Sequence, residues 1–289
     1  MSLEVVEWIV SGRGRPKITL VRLHAMTERP PPGIDVSVPN VARMYDYWLG
    51  GKDNFAADRT AAEEVIRISE GRVLRGVKLN RSFLGRAVRT ALDAGVRQFL
   101  DLGSGLPTRE NVHEVALRVD PEARVVYVDN DPVVRLHGEA LLSREGRTRF
   151  VQEDLRRVEE ILGHPDVRAV IDLGRPVAVM LVSVLHFVPD EDDPWAIVAR
   201  YREAMAPGSH LILSHLSSDP HPEKMARAER VYEGASARLG ARSRDAILRF
   251  FDGFDVLEPG LVGPTEWRPE RDEAAREKFA GVVGVAVKR

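Results

Sequence analysis

The sequence predicts an α/β fold, a parallel sheet covered by helices on both faces. Two observations carry that prediction. From Gly95 onward, short apolar runs alternate with helical stretches, the pattern of strand–helix–strand crossovers. The run Val177–Leu185 is apolar at every position except Ser183, which suits a strand buried on both faces rather than one.

The elements follow in order. Residues 1–25 read as weak strand or loop, and Met26-Thr27-Glu28 offers a second start, so this stretch reads as an upstream extension. Arg29-Pro30-Pro31-Pro32-Gly33 leads to Pro39. Consecutive prolines lack amide donors and favour extended polyproline, which makes 1–38 an N-terminal extension and proline-rich linker. Residues 39–95 read as a helical cap. Asn40 caps a first helix whose Val41, Met44, Tyr45 and Trp48 follow three- and four-residue spacing, and Gly50-Gly51 ends it. A second helix covers 56–69 and stops at Gly71; a third covers 73–93 and stops at Gly95. Residues 96–289 form the core. Its strands are expected at 98–102, 124–128, 149–152, 177–184, 210–214, 254–257 and 284–287. Helices are expected up to Val119, up to Ser143, and over 158–162, 195–205, 223–239 and 242–250.

Composition narrows the function. The chain has 289 residues, a formal net charge of −2 and no cysteine. Disulfides, thiolate metal sites and thiol nucleophiles are therefore excluded. The near-zero charge lacks the basic footprint of a protein that tracks a phosphate backbone, so a nucleic-acid partner is not expected. The start carries Glu4 and Glu7 rather than a basic leader, and no apolar run approaches the roughly 20 residues of a membrane span. A cytoplasmic protein with no membrane partner is the expectation. No ordered set of carboxylates and histidines announces a metal.

The strongest motif is Phe99-Leu100-Asp101-Leu102-Gly103-Ser104-Gly105. A buried strand runs into a glycine turn and then a helix, whose first amides are free and whose glycines let a ligand approach the backbone. Alone, the glycine pair reads equally as a tight turn. In Tyr127-Val128-Asp129-Asn130-Asp131, an acid about 25 residues later, at the end of the second strand, is placed to accept both hydroxyls of an adenosine ribose. Asp131, before Pro132, reads as a helix cap, which leaves Asp129 for the ribose. Two cofactors share this geometry. A dinucleotide wants a third glycine at position 108, where this chain has Thr108. S-adenosylmethionine has no pyrophosphate, and Asp101 suits its cationic methionine end. Asp154, in Gln152-Glu153-Asp154-Leu155, follows the third strand and is placed to accept the adenine amino group.

Those three segments together resemble the class I S-adenosylmethionine-dependent methyltransferases. A closer resemblance is to a bacterial S-adenosyl methyltransferase family formerly known as a domain of unknown function. It is carried by Pro39–Asn54, Asn80-Arg81, Gln98–Thr108 and Leu185-His186-Phe187-Val188-Pro189-Asp190. The resemblance implies an α/β, Rossmann-like, doubly wound, seven-stranded, mostly parallel sheet with an N-terminal helical cap. It implies that Gly103 and Gly105, with Ser104 between them, line the methionine end of the cofactor. Asp129, followed by Asn130, would meet the ribose, and Asp154 with Leu155 the adenine. Arg43, Tyr45, Tyr47 and Asn54 would close over the pocket, Arg43 pairing with the cofactor carboxylate. Asn80, Arg81 and Phe187 would line the substrate side. Helix packing for Tyr45 and a solvated helix face for Asn80 and Arg81 remain open alternatives.

His186, after the fourth strand, is the candidate base, needed only if the acceptor is a hydroxyl or a protonated amine. His215, after the fifth strand, is a second candidate. The run Asn/Asp-Pro-Pro-aromatic that amino-methylating DNA enzymes carry after the fourth strand is absent. The expectation is a methyltransferase for a small-molecule acceptor, with a non-catalytic S-adenosylmethionine-binding protein or an NAD-dependent oxidoreductase as alternatives.

Overall fold

A computed structural model describes residues 35–107, 110–142, 146–269 and 279–289. Thr108, the upstream extension and the Arg29–Gly33 linker lie outside these residues.

Seven strands form one sheet in the order β3-β2-β1-β4-β5-β7-β6. They are β1 (Gln98–Leu102), β2 (Arg124–Asp129), β3 (Thr148–Gln152), β4 (Ala178–Val182), β5 (His210–Leu216), β6 (Phe254–Val256) and β7 (Gly281–Lys288). The first five are parallel, and β7 runs antiparallel between β5 and β6. The expected seven-stranded, mostly parallel, doubly wound sheet is therefore present.

Alternation along each strand divides the core. Leu100, Leu102, Val126, Val128, Val179, Leu181, Leu211 and Leu213 face one side. They pack with α6 (Val158–Gly163), α7 (Pro165–Val170) and α8 (Pro194–Ala204). Phe99, Val125, Tyr127, Ala178, Met180 and Ile212 face the other side, against α3 (Arg72–Asp93) and α4 (Val112–Val119). Both faces are buried, which is why Val177–Leu185 shows no polar alternation. The helix α5 (Pro132–Leu142) links β2 to β3.

A third apolar cluster lies over the carboxyl ends of the strands. It joins α1 (Val41–Trp48), α2 (Ala56–Ile68), the start of α3 and α9 (Pro222–Tyr232). The Asn40 side chain accepts the Ala42 and Arg43 amides at 2.8 and 3.2 Å, as its capping position requires. Asn40→Ala should therefore cost about 1 kcal/mol in urea unfolding. An unchanged midpoint would show that the cap contributes nothing.

Several boundaries differ from expectation. β4 ends at Val182 because Ser183 adopts φ 59°, which no strand residue does. The helix expected over 223–239 stops at Tyr232. The one expected from Arg242 begins at Arg244, where the Ser243 side chain caps α10 (Arg244–Leu248). Helix α7 was not expected; His164 and Pro165 start it, its six residues being too few to show a period.

Candidate functional site

Strand order reverses between β1 and β4, and ligands in such sheets bind at the carboxyl ends beside that switch. A cavity of about 790 Å³ lies there, between the strand ends and the α1–α2–α9 cluster. That volume is in the upper part of the range of small-molecule pockets, roughly 300–1,000 Å³.

One end of the cavity is acidic. Asp101, at the end of β1, is buried and lines the wall. Among the described residues its carboxyl makes no hydrogen bond, and burial pushes its pKa up to about 7, with Arg81 opposing and Asp129 adding to the rise. Asp129, at the end of β2, accepts the Gly105 amide at 2.8 Å and the Asp131 amide at 3.0 Å. Burial still raises it to about 6. Each of its oxygens keeps a further lone pair. Asp131 accepts the Val133 amide at 2.7 Å, the helix-capping contact expected of it, while its Oδ2 is buried without a partner among the described residues.

The glycine turn is shaped by packing on one side and by space on the other. Gly103 adopts φ 71°, and a Cβ there would lie 2.2 Å from Val184 Cγ2. Gly105 adopts φ 65°, and a Cβ there would meet nothing within 4 Å. Gly103 thus seats the turn against the loop after β4, and Gly105 leaves open room beside Asp129.

The remaining expected residues separate into two groups. Ser104, Asn130, Asp154, Leu155, Tyr45, Asn80, Arg81, His186, His215 and Phe187 all line the cavity. Within it, Tyr45 and Asn80 bond to each other at 3.0 Å. Asp154 is held by Arg156, whose Nε lies 2.9 Å from both carboxylate oxygens. Arg43, Tyr47 and Asn54 do not line it. Arg43 is buried and ion-paired to Asp58 at 2.9 Å, and its Nη2 donates to the Val38 carbonyl at 2.9 Å. It ties α1 to α2 and lies off the cavity wall. Tyr47 turns outward to Glu63. Asn54 donates to Asp46 at 2.9 Å and to the Gly51 carbonyl at 3.1 Å, fixing the loop after α1.

The two histidines differ sharply. His186, in the one-turn helix Leu185–Phe187, is buried, and its Nδ1 has no partner among the described residues. Burial, then His215, then Arg242 hold its pKa well below the usual 6.5, so the ring is neutral. His215 stands 5.3 Å from it, ring to ring. Arg242 donates to His215 Nε2 at 2.8 Å, so the proton of that ring is on Nδ1, against the Leu216 carbonyl. The His215 Nε2 is thus occupied by Arg242, and burial pushes the pKa of the ring down to about 3.

Sequence reasoning missed the role of Arg242 and, though it expected a helix over 223–239, the place of α9 on the cavity wall. Arg242 is buried and donates to the Leu185 and Val188 carbonyls at 2.8 and 2.6 Å, and to Asp190 at 2.7 Å. It clamps the loop that carries His186. Nothing in the sequence around it signals this. Helix α9 places Met225, Ala228 and Tyr232 on the cavity wall. Their three- and four-residue spacing was the available signal.

The model of a family described as S-adenosyl methyltransferase matches residues 27–289. No curated protein matches. Two crystal structures are similar over nearly their whole length. A DUF574-family protein from Streptomyces avermitilis is 38% identical with a TM-score of 0.84, the alignment covering 88% of this chain and 99% of that one. A protein from Thermobifida fusca, provisionally described as a methyltransferase, is 43% identical with a TM-score of 0.85, covering 91% and 100%.

Proposed function

This chain belongs to the S-adenosyl methyltransferase family, and on that premise we propose that its cavity binds S-adenosylmethionine over β1–β3 and methylates a small molecule at the β4–β5 end. The observation that carries the proposal is Asp101, a buried carboxyl with no hydrogen bond among the described residues, facing a cavity beside a second buried acid. A buried carboxylate without a partner is costly, and a cationic ligand offsets that cost.

Once bound, S-adenosylmethionine supplies a methyl group on a positively charged sulfur. The residues present fit it. Asp101 complements the positive charge. Asp129 has lone pairs left for two ribose hydroxyls, and Gly105 leaves the space beside them. Leu155 offers an apolar surface and Asp154 a partly shared acceptor for the adenine. Arg242 holds the His186 loop, and His186 stays neutral and able to take a proton. Methyl transfer needs alignment above all, and a rigid enclosed site supplies it. The enclosure by α1, α2 and α9 suits a small acceptor better than a macromolecule.

Calorimetric titration with S-adenosylhomocysteine tests this. Asp129→Ala should weaken binding about tenfold, the loss of charged acceptors to the ribose. Affinity of the parent chain should also fall as pH drops below about 7, where first Asp101 and then Asp129 take up a proton. Unchanged affinity in a folded Asp129→Ala variant would overturn the ribose assignment.

A further inference from the structure

The cavity has a second, apolar lobe, and we infer from it that the acceptor is a ring compound that bears a neutral hydroxyl group and no positive charge, held against the wall that carries His186 and Tyr232. This rests on the cofactor lying over β1–β3. Tyr232 is then the residue that selects for a hydrogen-bonding substituent on the ring.

Trp48, Val65, Ile68, Met225, Leu239 and Phe187 line this lobe. Such walls recognise flat apolar surface, and the aromatic members favour a ring. Two polar groups interrupt them. Tyr232 is 4% exposed, and its hydroxyl makes no hydrogen bond among the described residues. Burial alone raises its pKa, so it remains a neutral hydroxyl, able to donate and accept. His186 is 3% exposed, with Nδ1 unpartnered. The Phe187 ring is 4.5 Å from the His186 ring and 5.7 Å from the Tyr232 ring. A hydroxyl that lines an apolar cavity and bonds to none of the described residues, as Tyr232 does, points to a ligand that bonds it.

Charge selects the kind of acceptor. Of the buried acids on the cavity wall, Asp101, Asp129 and Asp131 sit at the ends of β1 and β2, on the far side of the switch point, and Asp46 on α1 accepts from Asn54 and the Asp53 amide. The groups whose charge acts on His186 are His215 and then Arg242, a cation. An ammonium ion in this lobe would be desolvated beside Arg72, Lys224 and Arg238, cations that line the same cavity. A neutral hydroxyl avoids that cost. Its oxygen bonds to the methyl carbon while the carbon–sulfur bond breaks. The sulfur keeps that electron pair, and the hydroxyl proton passes to His186 and on to solvent.

The test titrates the full chain, with and without saturating S-adenosylhomocysteine, with 2-naphthol, naphthalene and protonated 2-naphthylmethylamine. The expected order is 2-naphthol tightest and the ammonium compound weakest. Tyr232→Phe should weaken 2-naphthol about fivefold, one hydrogen bond's worth, and leave naphthalene unchanged. Equal or tighter binding of the ammonium compound, no 2-naphthol binding, or an indifferent Tyr232→Phe variant would overturn the inference. Failure of S-adenosylhomocysteine to bind would instead overturn the cofactor assignment, and 2-naphthol titrated alone would still report on the lobe.

Discussion

Asp101→Asn is expected to stabilise the ligand-free chain at pH 8 by about 1–4 kcal/mol and to weaken S-adenosylmethionine binding at least about tenfold. The two effects have opposite sign because Asp101 is costly to the fold and useful to the ligand. Its folded pKa is raised from 3.8 to about 7. Above pH 7 the folded chain carries a buried carboxylate that the unfolded chain carries in water. As pH falls from 7 towards 4, the folded form takes up a proton that the unfolded form does not, so this group's contribution to stability rises on acidification. The asparagine variant lacks that rise. Urea unfolding at pH 8 and pH 5, with titration of S-adenosylmethionine, checks both parts. A variant that loses stability and keeps its affinity would make Asp101 a structural residue.

Arg242→Met is expected to cost about 3–5 kcal/mol of stability, because several buried acceptors lose their shared donor. The ion pair with Asp190 accounts for little of this, since the Asp190 side chain is 65% exposed. The larger part comes from the Leu185 and Val188 carbonyls and His215 Nε2, which would lose their donor while buried, at about 1–3 kcal/mol each before relaxation. The guanidinium also stacks on Trp195 and Phe250 at 5.3 and 5.7 Å, contact that methionine partly replaces. With the cation removed, the His186 and His215 rings should titrate at higher pH in an NMR titration. A stability change under about 1 kcal/mol would show that the loop holds its shape without the clamp.

What the sequence revealed depended on how local each cause was. The glycine turn, Asp101, Asp129 and the capping role of Asp131 are set by strand-end geometry within a few residues, and they were legible. The sheet was legible because both its faces are buried. The role of Arg43 was not. Its partner Asp58 is fifteen residues away on another helix, and no pattern distinguishes an arginine that ties two helices from one that meets a ligand. The same holds for Arg242, whose acceptors lie more than fifty residues earlier or on β5. His215 was legible as a strand-end histidine but not as an acceptor for Arg242. The apolar lobe was hidden for a related reason. It is assembled from α1, α2 and α9, and only folding brings α9 against the N-terminal helices.

The central claim is that the acidic end of the cavity holds S-adenosylmethionine. Calorimetric titration of the ligand-free chain with S-adenosylhomocysteine and, separately, with NAD tests it most directly. The account predicts micromolar binding of S-adenosylhomocysteine, about −8 kcal/mol, and no heat from NAD. Tight binding of NAD with silence towards S-adenosylhomocysteine would contradict it.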